Sequence, residues 1–257
     1  MNVKAKKHLG QHFLTDENIA KKIVEGLDFQ PYQYVLEVGP GTGVLTKYLL
    51  EKPTETYVAE IDTESIEYLK LHYQKLENKH FTGDFLKINL SDVFSGEVAV
   101  IGNFPYNISS QILFKIIENY QQIPEMVGMF QKEVAERTAA VPRTKDYGIL
   151  SVLVQAYYDV KYLFTVHENV FNPPPKVKSG VIKLTRNRKE GLEGNEILFK
   201  QIVKTGFGQR RKKLSNALKS LDIPEVLKSH AFMDKRAEEL SVEDFINFTK
   251  EWKAAKN

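Results

Sequence analysis

The strand-like run Tyr34-Val-Leu-Glu-Val38 passes without a spacer into Gly39-Pro-Gly41-Thr-Gly43, and a helix-patterned stretch over residues 44–50 follows at once. A buried strand delivered straight into a glycine loop that opens a helix points to a parallel α/β sheet, because glycine permits the sharp turn and close approach of backbone to a ligand. The same alternation continues through the first 185 or so residues. Thr15-Asp16 caps a helix carrying Ile19, Ile23 and Val24 at helical spacing, and further helices are predicted over 65–76 and 108–117. Strands are predicted over 57–61, 97–103, 126–130, 162–166 and 180–184. Beyond the polar segment 186–195 the patterns are helical only, over 197–203, 214–221 and 242–252. The expected organisation is therefore an α/β domain over residues 1–187 and a smaller all-helical domain over 188–257.

A chain of 257 residues, 42% hydrophobic and 27% charged, is long enough for one large core and a small one. The absence of cysteine excludes a disulfide framework, a thiolate zinc site and a cysteine nucleophile together, and no metal site is expected. The basic start is followed by His8, Gln11 and His12 rather than by an apolar run of signal-peptide length, and no stretch is apolar enough to span a bilayer. A cytoplasmic location is expected. The net charge of +3 conceals an asymmetry: residues 176–257 carry 19 Lys and Arg against 11 Asp and Glu. Between Ile197 and Leu221 there is no acid, whereas Lys200, Lys204, Arg210, Arg211, Lys212, Lys213 and Lys219 all lie there. Such a run marks either a polyanion-binding face or a solvated helix.

Four polar features fall in order at expected strand ends. The glycine loop comes first, then Glu60, then Asp84 in Gly83-Asp84-Phe85 after a third strand, then Asn103-Phe104-Pro105-Tyr106. In an open parallel sheet those ends converge on the ligand. A dinucleotide fingerprint would need its third glycine at Val44, so nicotinamide chemistry fails on spacing. A carboxylate at Glu60 suits paired ribose hydroxyls, and one at Asp84 suits an adenine amine. The Asn-x-Pro-Tyr turn brings together the Asn103 side-chain oxygen, the Phe104 carbonyl, a donor-free Pro105 and the ring of Tyr106. That set can hold a planar exocyclic amine beneath an aromatic ring.

The G-x-G-x-G spacing resembles the first motif of S-adenosylmethionine-dependent methyltransferases, which implies a Rossmann-like class I methyltransferase sheet. Nearly the whole chain resembles the ribosomal RNA adenine N6-dimethyltransferases, and within them the bacterial branch that modifies small-subunit RNA. The resemblance rests on these motifs together with Lys7-His-Leu-Gly-Gln-His-Phe-Leu14, Phe171-Asn-Pro-Pro-Pro-Lys-Val-Lys-Ser179, Phe207-Gly-Gln-Arg-Arg-Lys-Lys-Leu-Ser-Asn-Ala-Leu218 and Arg236-Ala-Glu-Glu-Leu-Ser241. It implies S-adenosylmethionine against His12, Leu14, Gly39, Gly41, Gly43, Glu60, Asp84 and Asn103, with His12 standing where the family commonly has Asn. It implies catalysis at Asn103, Phe104, Pro105 and Tyr106, with Phe171 stacking on the extruded base or packing in the core. Phe104 replaces the family's more usual Leu.

The implied reaction is an in-line displacement by N6 of an unstacked adenosine, repeated once on each of two adjacent adenosines in a 3'-terminal hairpin loop of 16S RNA. The implied partner is a precursor of the small ribosomal subunit, met by a monomer through phosphate contacts from Arg210, Arg211, Lys212 and Lys213, with Lys4, Lys6 and Lys7 in support. Competing readings are a methyltransferase of large-subunit RNA, one of adenine in DNA, and a noncatalytic assembly factor that has kept the fold.

Overall fold

The computed structural model describes residues 3–256, so the expected outer domain ends at residues 1 and 257 lie outside the described residues. Among the described residues the strands are β1 (Phe13–Leu14), β2 (Tyr34–Val38), β3 (Glu55–Ala59), β4 (Val98–Asn103), β5 (Glu125–Gln131), β6 (Tyr158–Val166), β7 (Phe171–Asn172) and β8 (Ser179–Arg186). The helices are α1 (Glu17–Val24), α2 (Thr46–Leu49), α3 (Thr63–His72), α4 (Leu90–Val93), α5 (Ser109–Glu118), α6 (Lys132–Ala139), α7 (Ile149–Gln155), α8 (Glu196–Gly208), α9 (Leu214–Ala217) and α10 (Val242–Ala254).

Six strands form one sheet in the order β3-β2-β4-β5-β8-β6, while β1 and β7 pair as a separate two-stranded ribbon. The pairs β2/β3, β2/β4 and β4/β5 are parallel, and β8 returns antiparallel to β5. β2, β4 and β5 are buried along almost their whole length because helices cover both faces of a parallel sheet, and this is why they read as unbroken apolar runs. α1 starts where the Asp16 carboxylate accepts from the N–H groups of Asn18 and Ile19, and its buried Ala20, Ile23 and Val24 join Val35, Ile101, Val127 and Met129 in one core. This is the α/β, Rossmann-like sheet expected from the sequence.

Contacts divide the chain into two compact units. The first holds the residues up to Ala135 together with Val160–Arg186, and the second holds Glu136–Asp159 together with the residues from Asn187 onward. The second unit thus takes in a segment assigned from the sequence to the first domain. Polar and aromatic contacts account for it: the Tyr147 hydroxyl donates to Leu240 O (2.9 Å), Arg143 N donates to Glu238 O (2.8 Å), and the Tyr147 ring meets the Phe207 ring edge-on. α10 opens with a reciprocal cap between Ser241 and Asp244 and buries Phe245, Ile246, Phe248, Thr249 and Trp252 along one face.

Several elements differ from the sequence expectation. α3 begins earlier than predicted because Asp62 caps it, accepting from Glu64 N (3.2 Å) and the Ser65 hydroxyl (3.1 Å). The third strand expected before Asp84 shrinks to a single parallel bridge between Phe81 and Val58, since Gly83 at φ +79° turns the chain away two residues later. The helix expected over 214–221 is only the four residues of α9.

Candidate functional site

The chain leaves β2 toward β3 on one side and reaches β4 on the other, so the carboxyl ends of β2 and β4 flank the topological switch point at which open α/β sheets bind ligands. Gly39 follows β2 and donates its N–H to Ala59 O at 2.9 Å, joining the loop to the end of β3. Gly41 (φ +55°) and Gly43 (φ +83°) require glycine on two counts. Their backbone lies in the left-handed region, and a Cβ would meet the Phe13 ring at 2.7 Å and the Tyr73 ring at 2.5 Å respectively. Beneath the loop, Glu37 is fully enclosed and accepts from the Thr46 hydroxyl at 2.6 Å. Burial pushes its carboxyl up to about 8, with the nearby Glu60 adding to the rise and the Thr46 bond opposing it.

Glu60 follows β3 directly. Its Oε1 accepts from the N–H groups of Ile61 and Asp62, both at 2.9 Å, and its Oε2 accepts from Gly41 N at 3.3 Å. Burial raises its pKa, and those three backbone donors pull the other way. Asp84 accepts from Leu86 N at 3.0 Å, which fixes its carboxylate at the mouth of the same cleft. The N-terminal segment is tied over this edge. The Lys6 ammonium and the Gln11 amide (3.1 Å) both bind the carboxylate of Asp62, so Lys6, expected to contact RNA, is already engaged.

Asn103 ends β4, and its Nδ2 donates to His12 O at 2.8 Å. A main-chain carbonyl accepts only, so this bond settles which amide atom is which: Oδ1 is the acceptor left for a ligand. Phe104 N donates to Met129 O at 3.1 Å, continuing the sheet through the turn. The Phe104 ring is buried against Phe130 and lies over Gly128. Pro105 then leads into a single 3-10 turn, Tyr106–Ile108, and the Tyr106 hydroxyl meets the Ser179 hydroxyl at 2.5 Å.

One cleft is lined by His12, Gly39, Gly41, Glu60, Asp84, Asn103, Phe104, Pro105 and Tyr106. The remaining expected residues lie elsewhere. Leu14 lines a small adjoining hollow with Glu37 and Thr42, and Gly43 shapes the turn without lining the cleft. Phe171 is 4% exposed, sits in the core with Leu14 and Val181, and does not line the cleft. The pairing of β1 with β7 sets Phe171 opposite Leu14 and so turns it inward. Sequence reasoning missed Ile61, which is 55% exposed on the cleft wall, and Ser179. An apolar residue directly after the ribose-type acid is the signal that would have found the first. Nothing local marks the second.

In the second unit Arg211 and Lys212 are exposed and form no ion pair among the described residues. Arg210 is committed inward, to Glu238 and to the carbonyls of Lys145 (2.8 Å) and Thr144 (3.1 Å), and Lys213 pairs with Asp234 at 2.9 Å. Arg143 and Arg236, also missed from the sequence, share a mixed-charge hollow with Arg211 and Lys213. Among the described residues no group of three or more His, Asp or Glu is placed to hold a metal ion, and no helix is long and apolar enough to cross a membrane.

A glycine loop and an acid at successive strand ends, on a sheet of this order, define a class I methyltransferase fold. Solved structures share it: a dimethyladenosine transferase from Plasmodium falciparum matches with a TM-score of 0.83 at 26% identity, covering 95% of this chain and 98% of that one. The 23S rRNA methyltransferase ErmE matches with a TM-score of 0.69 at 24% identity, covering 94% and 99%. The family model for ribosomal RNA adenine dimethylase matches residues 2–254. A ribosomal RNA small subunit methyltransferase A from Flavobacterium johnsoniae is 59% identical over 253 residues, covering 98% of this chain and 97% of that protein. The chain belongs to the ribosomal RNA adenine dimethylase family.

Proposed function

We propose that this enzyme methylates N6 of two adjacent adenosines in a 3'-terminal hairpin loop of small-subunit (16S) ribosomal RNA, to the dimethyl level, with S-adenosylmethionine as donor. The single observation that carries the reading is the fixed orientation of the Asn103 amide: with Nδ2 held by His12 O, Oδ1 is a preset acceptor beside the Phe104 carbonyl. Two acceptors on the amine hydrogens turn the nitrogen lone pair out of the purine plane. They also stabilise the positive charge that nitrogen acquires as the bond forms.

The residues present fit the cofactor. Glu60, pinned by three backbone N–H groups, offers its carboxylate to vicinal ribose hydroxyls, Asp84 can accept from the adenine amine, and Ile61 offers that ring an apolar face. Gly39 and Gly41 leave the cleft floor free of side chains. When bound, S-adenosylmethionine supplies an electrophilic sulfonium methyl group. Tyr106 lies three residues from Asn103 and provides the ring on which an extruded base stacks, an interaction worth about 1–3 kcal/mol per base. The helical region 188–257 serves as the RNA-docking domain, where exposed Arg211 and Lys212 meet phosphates and specificity comes from RNA shape. The partner is a small-subunit precursor particle, and the enzyme works as a cytoplasmic monomer.

The test is to give the purified protein labelled S-adenosylmethionine together with unmethylated small subunits, large-subunit RNA or duplex DNA, and to locate the product by mass spectrometry. Dimethyladenosine at adjacent positions of small-subunit RNA is the expected result. Labelling confined to large-subunit RNA or DNA would overturn the reading.

A further inference from the structure

One hollow of the second unit is lined, among the described residues, by charged side chains alone. Its three carboxylates are already engaged within the unit. Asp234 pairs with Lys213 at 2.9 Å, Glu238 accepts from the Arg210 guanidinium, and Glu239 accepts from Arg236 N at 2.6 Å. Arg143, Arg211 and Arg236 line the same hollow, are exposed, and form no ion pair among the described residues. With Arg210 counted beside its partner Glu238, five cations stand against three anions, a balance of +2. Arg143 is also strained. Its φ of +67° lies in the left-handed region, which is unfavourable for any residue with a Cβ and open to glycine. The surrounding turn imposes that conformation: Arg143 N donates to Glu238 O at 2.8 Å, and Arg210 holds the next two carbonyls, Thr144 (3.1 Å) and Lys145 (2.8 Å). These bonds use the backbone of 143–145 only, so the fold itself has no need of an arginine side chain at position 143.

We propose that this hollow is a phosphate seat for the RNA substrate, in which the guanidinium groups of Arg143, Arg211 and Arg236 bind backbone phosphates, and that Arg143 is kept at a left-handed position for this purpose. The proposal rests on the RNA-substrate reading above. It extends that reading from a run of cations adjacent in sequence to a site assembled from three separate segments, around residues 143, 211–213 and 234–239. A planar guanidinium offers parallel N–H donors to two phosphate oxygens, a fixed geometry that the ammonium of neighbouring Lys212 does not supply. Strained residues persist where a ligand clamp uses them, and an exposed arginine in a turn that glycine would satisfy fits that pattern. The lining favours RNA over a protein partner, because it contains no apolar or aromatic residue to anchor a protein interface. Phosphate contacts carry no base information, so Arg143 contributes to the affinity and register of docking and leaves the choice of base to the cleft.

The test compares full-length Arg143→Gly, Arg143→Asn, Arg143→Lys and Arg236→Ala with wild type. Each is measured for binding to unmethylated small subunits at several salt concentrations, for its thermal midpoint, and for S-adenosylhomocysteine affinity by calorimetry. Arg143→Gly and Arg143→Asn place residues that accept the left-handed backbone, so their thermal midpoints should equal or exceed that of wild type. Both should nevertheless weaken RNA binding about tenfold, the order of one lost charge-assisted contact, with S-adenosylhomocysteine affinity unchanged. Each should reduce the magnitude of the salt slope by about 0.7–0.9, as should Arg236→Ala. Arg143→Lys keeps the charge without the fork, and should keep the wild-type slope while losing part of the affinity. The proposal is overturned if Arg143→Gly and Arg143→Asn lower the thermal midpoint and leave RNA binding unchanged, which would make the arginine structural. It is equally overturned if RNA binding weakens with no change in salt slope, or if Arg143→Lys loses the slope as Arg143→Gly does. Unchanged RNA binding in all four variants would assign the hollow to an acidic protein partner or to bare surface. Small subunits that bind wild type through the hollow and receive no methyl group would defeat the methyltransferase reading and leave the phosphate seat standing.

Discussion

Asn103 and Glu37 are both polar residues on buried strands, yet they do opposite things with their polarity. Asn103 donates one hydrogen bond to His12 O and keeps Oδ1 as an oriented acceptor, so its proposed contribution is made at the reacting amine. Asn103→Ala should therefore leave cofactor affinity within a few-fold of wild type and lower the methylation rate by about 10²-fold or more, the usual cost of one preorganised polar contact. Single-turnover kinetics beside calorimetry checks this, and near-normal turnover would remove Asn103 from the mechanism. Glu37 faces inward, and its carboxyl is raised to about 8 by burial. The folded state then holds a proton that the unfolded chain releases near the ordinary carboxyl value of 4.5. Between those two values the unfolded state binds fewer protons, so this group makes stability fall as pH rises, by up to about 1.4 kcal/mol per pH unit. Glu37→Gln keeps an acceptor for the Thr46 hydroxyl and cannot ionise. Denaturant titrations from pH 5 to 8 should show a flatter profile for the variant, and parallel profiles would mean that Glu37 is charged in the folded protein. The sequence marked Asn103 but not Glu37, and the partners that orient them, His12 O and Thr46, lie 91 and 9 residues away and carry no local signature.

Elements with a strong apolar period were legible to within a few residues, β2 and β4 above all, because burial on both faces imposes a composition that little else produces. Elements whose limits depend on a distant partner were not. The lone bridge of Phe81 to Val58 looks like a strand in sequence, and no element is predicted over the segment of α6 and α7, most of which the second unit takes in. The order of polar features at strand ends survived these errors, since it depends on which strands are neighbours rather than on their lengths. Two glycines inside the strands carry a further constraint. A Cβ at Gly102 would lie 2.7 Å from the Phe104 ring, and one at Gly128 would lie 2.1 Å from it, so β4 and β5 together leave a slot for that ring. Phe in place of the family's more usual Leu is accommodated there, and the ring anchors the carbonyl proposed to bind the amine. Gly128→Ala should force the Phe104 ring out, lowering stability by about 1–3 kcal/mol and slowing methylation more than it weakens cofactor binding. Pairing it with Phe104→Leu, which vacates part of the slot, should restore much of both. Failure of that rescue would separate the strand glycine from the position of the Phe104 carbonyl.

At the scale of the whole molecule the charge is divided between ends, and the structure sorts the C-terminal cations by what they are already bound to. In sequence Arg210, Arg211, Lys212 and Lys213 are one basic run, and nothing in a run distinguishes its members. Folded, Arg210 ties Glu238 to the carbonyls of Thr144 and Lys145, and so joins two separate stretches of the second unit, while Lys213 pairs with Asp234. Arg211 and Lys212 form no ion pair among the described residues, which leaves them to the proposed phosphate contacts. The four should therefore not behave alike. Arg211→Ala with Lys212→Ala should leave the thermal midpoint nearly unchanged and weaken RNA binding. Each phosphate contact contributes about 0.7–0.9 to the slope of log affinity against log salt, so the double variant should reduce the magnitude of that slope by roughly 1.4–1.8. Arg210→Ala should do the reverse, lowering the thermal midpoint through unpaired Glu238 and two released carbonyls while changing the salt slope little. Binding titrations at several salt concentrations, read beside thermal melts, distinguish the two patterns. Equal slopes for the double variant and wild type would make Arg211 and Lys212 a solvated surface, and the RNA-docking role would pass to Arg143 and Arg236 in the neighbouring hollow.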